Sequence, residues 1–101
     1  MNIEKVVDGK RITLRIEGKF NSESAQEVSA FIDDLSEDYD EIVFDLKNTQ
    51  YVSSAGLRVV LDIHKRMSAL GKQLLLNNVD EGIMDILNAT GLAKFLKFEQ
   101  K

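Results

Sequence analysis

The chain predicts an α/β domain: a mixed β-sheet of four to five strands with about four helices packed on it. Three observations carry this. Short apolar, β-branched runs alternate with longer segments of helical periodicity. The opening segment shows the period-two alternation of a hairpin around Asp8-Gly9. No repeat, low-complexity tract or Pro/Gly/Ser linker interrupts the series, and 101 residues with 44% hydrophobic content suit one core, so residues 1–101 are read as a single domain.

The elements follow in order. Val6-Val7 and then Ile12, Leu14 and Ile16 alternate with polar residues, giving two half-buried strands. Ser24-x-x-Glu27 has the pattern of a capping box, and Ala25, Val28, Phe31, Ile32 and Leu35 follow it at helical spacing as one apolar stripe. Ile42-Val-Phe-Asp-Leu46 is a short apolar run of the kind found in central strands. After a polar turn, a second helix is expected over residues 55–70, ending at Gly71 as a left-handed cap. Arg58, Asp62, Lys65, Arg66 and Ala69 share one face of it, with Arg58 and Asp62 spaced to pair, while Leu57, Val60, Leu61, Ile63, Met67 and Leu70 form a broad apolar side. Residues 73–77 read as a strand, 81–88 as a short helix and 95–98 as a last strand.

Composition removes several function classes. A net charge of −4 and a pI near 4.9 disfavour direct nucleic-acid binding and anionic membranes, both of which call for clustered Lys and Arg. Without cysteine there is no disulfide, thiol nucleophile or thiolate metal site. No apolar run reaches membrane-spanning length, and Met1-Asn-Ile-Glu-Lys opens like a strand instead of a signal peptide, so the cytoplasm is the expected compartment and membrane insertion is not expected. His64, the lone histidine, falls on or beside the apolar side of the second helix and reads as a core-edge residue, not a catalytic base. Asp33, Asp34, Glu37, Asp38, Asp40 and Glu41 cluster after the first helix but lack the alternating ligands and central glycine of a calcium loop; they read as a solvated surface loop. The scattered glycines match neither a P-loop nor a dinucleotide fingerprint. No catalytic residue, metal site or cofactor is expected, and the chain is read as a non-enzyme.

One stretch stands out. Asp45 to Leu61 reads as the end of a buried strand, a short turn and a helix opening directly behind Ser53 and Ser54. Serine is a favoured N-cap, which is a sufficient structural reason for a serine there; loss of Ser54 would then remove at most a cap. The same position also suits a phosphate, because unpaired N–H groups and the helix dipole favour negative charge. The carboxyl end of a strand is, besides, where open α/β sheets usually place their sites.

Tyr51-Val-Ser-Ser-Ala-Gly-Leu-Arg58 resembles the signature of the STAS domain family, of the anti-sigma-factor antagonist type. Glu17-Gly-Lys-Phe-Asn21, read as a turn, stands where the family has Gly-x-Leu-Asp, and Ala89-Thr-Gly-Leu92 with the apolar segment after it resembles the family's C-terminal part. The resemblance implies a STAS-like fold and a bacterial, cytoplasmic phosphoprotein of partner-switching transcription regulation. Such antagonists bind an anti-sigma factor that is also a serine kinase, freeing a sigma factor; phosphorylation ends the association and a metal-dependent serine phosphatase restores it. The family's acceptor stands two residues before the glycine, which is Ser54 here. Ser53 occupies the place where Asp is common, which makes Ser53 the alternative acceptor, and Arg58 occupies that of a second small residue. Partner contacts are implied for Ser53, Ala55, Gly56, Leu57, Arg58 and Asn21. Gly56 is equally explained by packing of the helix on the sheet. A second reading is a non-switching STAS scaffold, a subunit of a larger complex such as a lipid transporter.

Overall fold

The computed structural model describes residues 2–36 and 38–99. Among the described residues, six strands, three α-helices and one 3-10 turn follow one another as β1 (Asn2–Asp8), β2 (Arg11–Phe20), α1 (Ser22–Asp33), β3 (Glu41–Asp45), β4 (Thr49–Val52), α2 (Ser54–Ala69), β5 (Gln73–Asn77), α3 (Glu81–Ala89), the 3-10 turn (Leu92–Lys94) and β6 (Lys97–Phe98). The sheet runs β1-β2-β3-β5-β6, with only the β1–β2 hairpin antiparallel. It is thus the expected mixed α/β sheet, with one strand more than the five that periodicity places. The additional strand is β4, which pairs with β2 off the main path, parallel to Gly18–Phe20.

Register explains how one face becomes core. Ile12, Ile42 and Leu74 stand side by side across three strands, as do Leu14, Phe44 and Leu76, and all six are buried. Val28 and Ile32 of α1, Val60, Ile63 and Met67 of α2, and Ile83 and Leu87 of α3 close over this face to complete one core. The opposite face carries charged rows at its two ends, on either side of Thr13, Val43 and Leu75, of which Val43 is buried. Arg11 pairs with Glu41 and Glu99, while Arg15 pairs with Glu4 at 2.8 Å and Asp45 at 3.6 Å. The Gln73 amide, donating at 2.7 Å, and the Arg11 guanidinium hold the Glu41 carboxyl below the usual carboxylate range. Mutual pairing lets this face meet water without a helix over it.

Several local readings shift. The capping box lies at Asn21 and Ser24, not at Ser24 and Glu27: the Ser24 N–H donates to Asn21 Oδ1 at 3.2 Å and the Asn21 N–H donates to Ser24 Oγ at 2.8 Å. Ser24 is fully buried and its hydroxyl also donates to the Lys19 carbonyl, so it belongs inside the first turn. Residues 17–20 are strand, not turn; Gly18 stands at φ 86°, and between Gly18 and Lys19 the register skips from Thr49 to Tyr51, which leaves Gln50 as the extra residue of a bulge in β4. The last strand starts at Lys97 and not at residue 95, because Gly91 at φ 78° opens the 3-10 turn and the Phe95 and Leu96 N–H groups return to the Leu92 carbonyl. α2 stops before Gly71, at φ 73°, as expected. The acidic cluster is partly neutralised: Asp33 pairs with Arg66, Asp38 with Lys10 and Glu41 with Arg11. Glu37 lies outside the described residues.

Candidate functional site

The first helix turns of α1 and α2 sit next to each other because the strands that deliver them are neighbours. β2 ends at Phe20 and β4 at Val52, paired side by side, and each chain passes through one extended cap residue into its helix. At α2 that residue is Ser53, at φ −84° and ψ 175°, and not Ser54; the helix starts one residue earlier than periodicity suggests. Ser53 is fixed from both sides. Its N–H donates to the Phe20 carbonyl at 2.9 Å, and its hydroxyl accepts the Gly56 N–H at 3.2 Å.

Gly56 shows why the clamp is tight. It is buried, and a Cβ built on it would lie 2.5 Å from the Phe20 carbonyl oxygen and 3.1 Å from both Phe20 Cδ1 and Val52 Cγ1. Backbone against backbone leaves no room for a methyl group, so helix-on-sheet packing accounts for this glycine. Leu57 faces inward as well, partly buried against the core. Ser54 differs from all of these. It is the first residue of α2 and exposed, and among the described residues its hydroxyl has no hydrogen-bond partner.

The electrostatics distinguish this helix start from the other two. α1 has Glu23 in its first turn and α3 has Glu81, whereas the first turn of α2 has no acidic residue. Its positive dipole end therefore meets no carboxylate from its own turn. Arg58, one turn beyond Ser54, is exposed and lines a groove of about 440 Å³ between α1 and α2 together with Ser22, Ala25, Ala55 and Val59. Among the described residues Arg58 makes no ion pair, so the expected pair with Asp62 does not form. The ion pair of this helix face runs instead from Arg66 to Asp33 of α1, at 2.6 Å. Asn21, the cap of α1, borders a smaller pocket of about 300 Å³ with Gly18, Lys19 and Gln50 beside it. The structure thus brings Ser53, Ser54, Ala55, Arg58 and Asn21 to one edge of the sheet and turns Gly56 and Leu57 into its support. Tyr51, which opens the signature stretch without a role of its own there, is 51% exposed on β4 and places a surface aromatic two residues before Ser53. Its signal, a large aromatic in a strand too short to recognise, is visible only once β4 is known.

His64 is half-buried in α2. Among the described residues no group of three or more His, Asp or Glu could hold a metal ion, and no helix is long and apolar enough to cross a membrane.

Comparison with known proteins agrees with this geometry. The STAS domain family matches residues 2–101. BtrV of Bordetella bronchiseptica, named as an anti-sigma factor antagonist, is 30% identical over 89 residues, spanning 84% of this chain and 73% of BtrV. TM1081 of Thermotoga maritima, similarly named, superposes with a TM-score of 0.89 at 22% identity over 98% of this chain and 86% of its own. Unphosphorylated SpoIIAA of Bacillus, an anti-sigma factor antagonist, gives 0.79 at 15% identity over 99% and 90% of the two chains. A sulfate transporter family protein from Wolinella succinogenes gives 0.81 at 20% identity over 93% and 80%, so the fold also serves outside the antagonists. With the signature Tyr51-Val-Ser-Ser-Ala-Gly-Leu-Arg58 on the β4–α2 junction, the family match over residues 2–101 and the 30% identity to BtrV, the chain belongs to the STAS domain family.

Proposed function

We propose that this chain is an anti-sigma-factor antagonist switched by phosphorylation of Ser54. Unphosphorylated, it binds an anti-sigma factor that is also a serine kinase and so releases a sigma factor; phosphorylated, it lets go, and a metal-dependent serine phosphatase resets it. It acts by binding, in the cytoplasm, and catalyses nothing itself. The observation that carries this reading is the exposed Ser54 hydroxyl at the head of a helix whose cap is supplied by Ser53. Modification there costs the fold nothing, since no hydrogen bond is lost, and the dipole of a first turn without carboxylates favours the added charge. At a packed interface the same dianion must be desolvated against the partner, which opposes binding. Ser53, with its hydroxyl and N–H both engaged, is the less available of the two serines.

The test is calorimetry with the kinase partner, recovered from native lysate on the immobilised wild-type chain. Ser54→Asp is expected to bind about tenfold or more weakly, on the order of 1.4 kcal/mol, with an unchanged melting temperature. Equal affinity of the two forms would favour the second reading, a non-switching STAS scaffold within a larger complex such as a lipid transporter. The likeness to a sulfate transporter family protein supports that alternative, as does Ser53 in the place where antagonists commonly have Asp.

A further inference from the structure

The helix layer stops short of the β1 edge of the sheet. α1 packs on β2, and α2 on β4 and β5, so the core-side face of β1 is flanked by α1 on one side only. Between them runs a groove of about 490 Å³, floored by Ile3, Phe31 and Leu35, with Lys5 on the β1 wall. The three apolar residues are only partly buried, and Val7, two positions beyond Lys5 on the same strand face, is 58% exposed. Glu27 and Asp34 stand along the α1 wall, seven residues or about 10 Å of helix rise apart. Among the described residues neither carboxylate makes an ion pair.

We propose that this groove docks an amphipathic helix of a partner protein, presenting aliphatic side chains to Ile3, Phe31 and Leu35 and two basic residues, two turns apart, to Glu27 and Asp34. A helix fits better than a strand because the groove lies over the sheet beside α1, where one more helix at the usual 8–10 Å spacing would continue the layer. A strand added to the edge of β1 would lie in the plane of the sheet and leave the groove empty. Charge chooses the partner. The wall is acidic and the chain carries a net −4, so a second copy would bring like charge, whereas a basic helix neutralises the wall. Lys5, the one cation of the lining, makes the helix flank that faces β1 neutral or acidic. The groove uses Ile3 and Lys5 of β1 and residues between 27 and 35 at the end of α1 and just beyond it, and none of the Ser54 motif, so this surface is separate from the switch.

The test titrates the full 101-residue chain with two synthetic helical peptides of identical Leu stripe, one with Lys at positions i and i+7 and one with Glu there. Amide shifts followed by NMR locate binding, and fluorescence anisotropy measures affinity. The Lys peptide is expected to shift Ile3, Lys5, Phe31 and Leu35 and to bind about tenfold or more tightly than the Glu peptide. Glu27→Lys with Asp34→Lys, both on the surface, should abolish that preference, while Glu81→Lys with Asp85→Lys on α3, the same change in net charge, should preserve it. Equal affinities for the two peptides, shifts centred outside the groove, or equal loss in the α3 control would overturn the proposal. So would self-association of the wild-type chain by sedimentation that Phe31→Ser removes, which would assign the groove to a second copy.

Discussion

α1 and α2 leave neighbouring parallel strands at the same edge of the sheet, yet their first turns are built differently. At α1 the cap is reciprocal and closed: Asn21 and Ser24 satisfy each other's N–H groups, Ser24 is buried, and Glu23 offers a carboxylate to the dipole. At α2 a single hydroxyl, that of Ser53, takes one N–H, no carboxylate follows, and Ser54 faces solvent. The tightness of α2 comes from elsewhere, from Gly56 pressed on the Phe20 carbonyl. One helix start is thus finished by its own side chains, and the other is held by its backbone, leaving its exposed hydroxyl free for other chemistry. A rigid scaffold beneath an open site is what a modification switch requires.

The largest effect should come from the backbone clamp. Gly56→Ala forces a methyl group to within 2.5 Å of the Phe20 oxygen and should cost roughly 3 kcal/mol or more in urea unfolding. Gly82→Ala in the first turn of α3, where the new methyl would meet only Asp80 Oδ1 at 3.5 Å, should be neutral or stabilising by up to about 1 kcal/mol. A gain of similar size in both variants would mean that helix propensity, not contact with β2, decides the outcome.

The two caps come next. Ser24→Ala removes a buried hydroxyl that serves the Asn21 N–H and the Lys19 carbonyl and should cost about 1–3 kcal/mol. Ser53→Ala loses one partly buried cap and should cost about 0.5–2 kcal/mol. Equal costs, measured as denaturation midpoints at constant m-value, would erase the contrast between closed and open starts.

Arg58 gives a smaller and finer test. An exposed cation without an ion pair, one turn from Ser54, is placed to meet a phosphate there. Phosphorylation should then raise the melting temperature of the wild type more than that of Arg58→Ala, with a coupling of roughly 0.5–1 kcal/mol in the four-species cycle. Zero coupling would leave Arg58 as a groove residue between α1 and α2.

Much of this was legible in the chain because it is written in periodicity. The hairpin, the stripes of α1 and α2, the runs of β3 and β5 and the stop at Gly71 all follow from spacing. What escaped was set by contacts between distant residues. Thr49–Val52 is four residues behind a polar turn, and becomes a strand only by pairing with the end of β2, more than 30 residues earlier, with Gln50 bulged out of the ladder. Ser24 looked like a cap because it precedes Glu27 by three residues; its burial beneath Lys19 makes it the third residue of the helix instead. The pair of serines could be ranked by motif but not by role, since which one caps α2 depends on the bond from Ser53 to Phe20, a residue 33 positions earlier. Arg58 and Asp62 had ideal spacing and still do not pair, a reminder that exposed i,i+4 pairs are weakly held.

Phosphosite mapping after incubation with the kinase partner and Mg-ATP tests the central claim most directly. The account predicts phosphate on Ser54 in the wild type and in Ser53→Ala, and none in Ser54→Ala, with all three proteins folded. Phosphate on Ser53, with Ser54→Ala still fully modified, would contradict it.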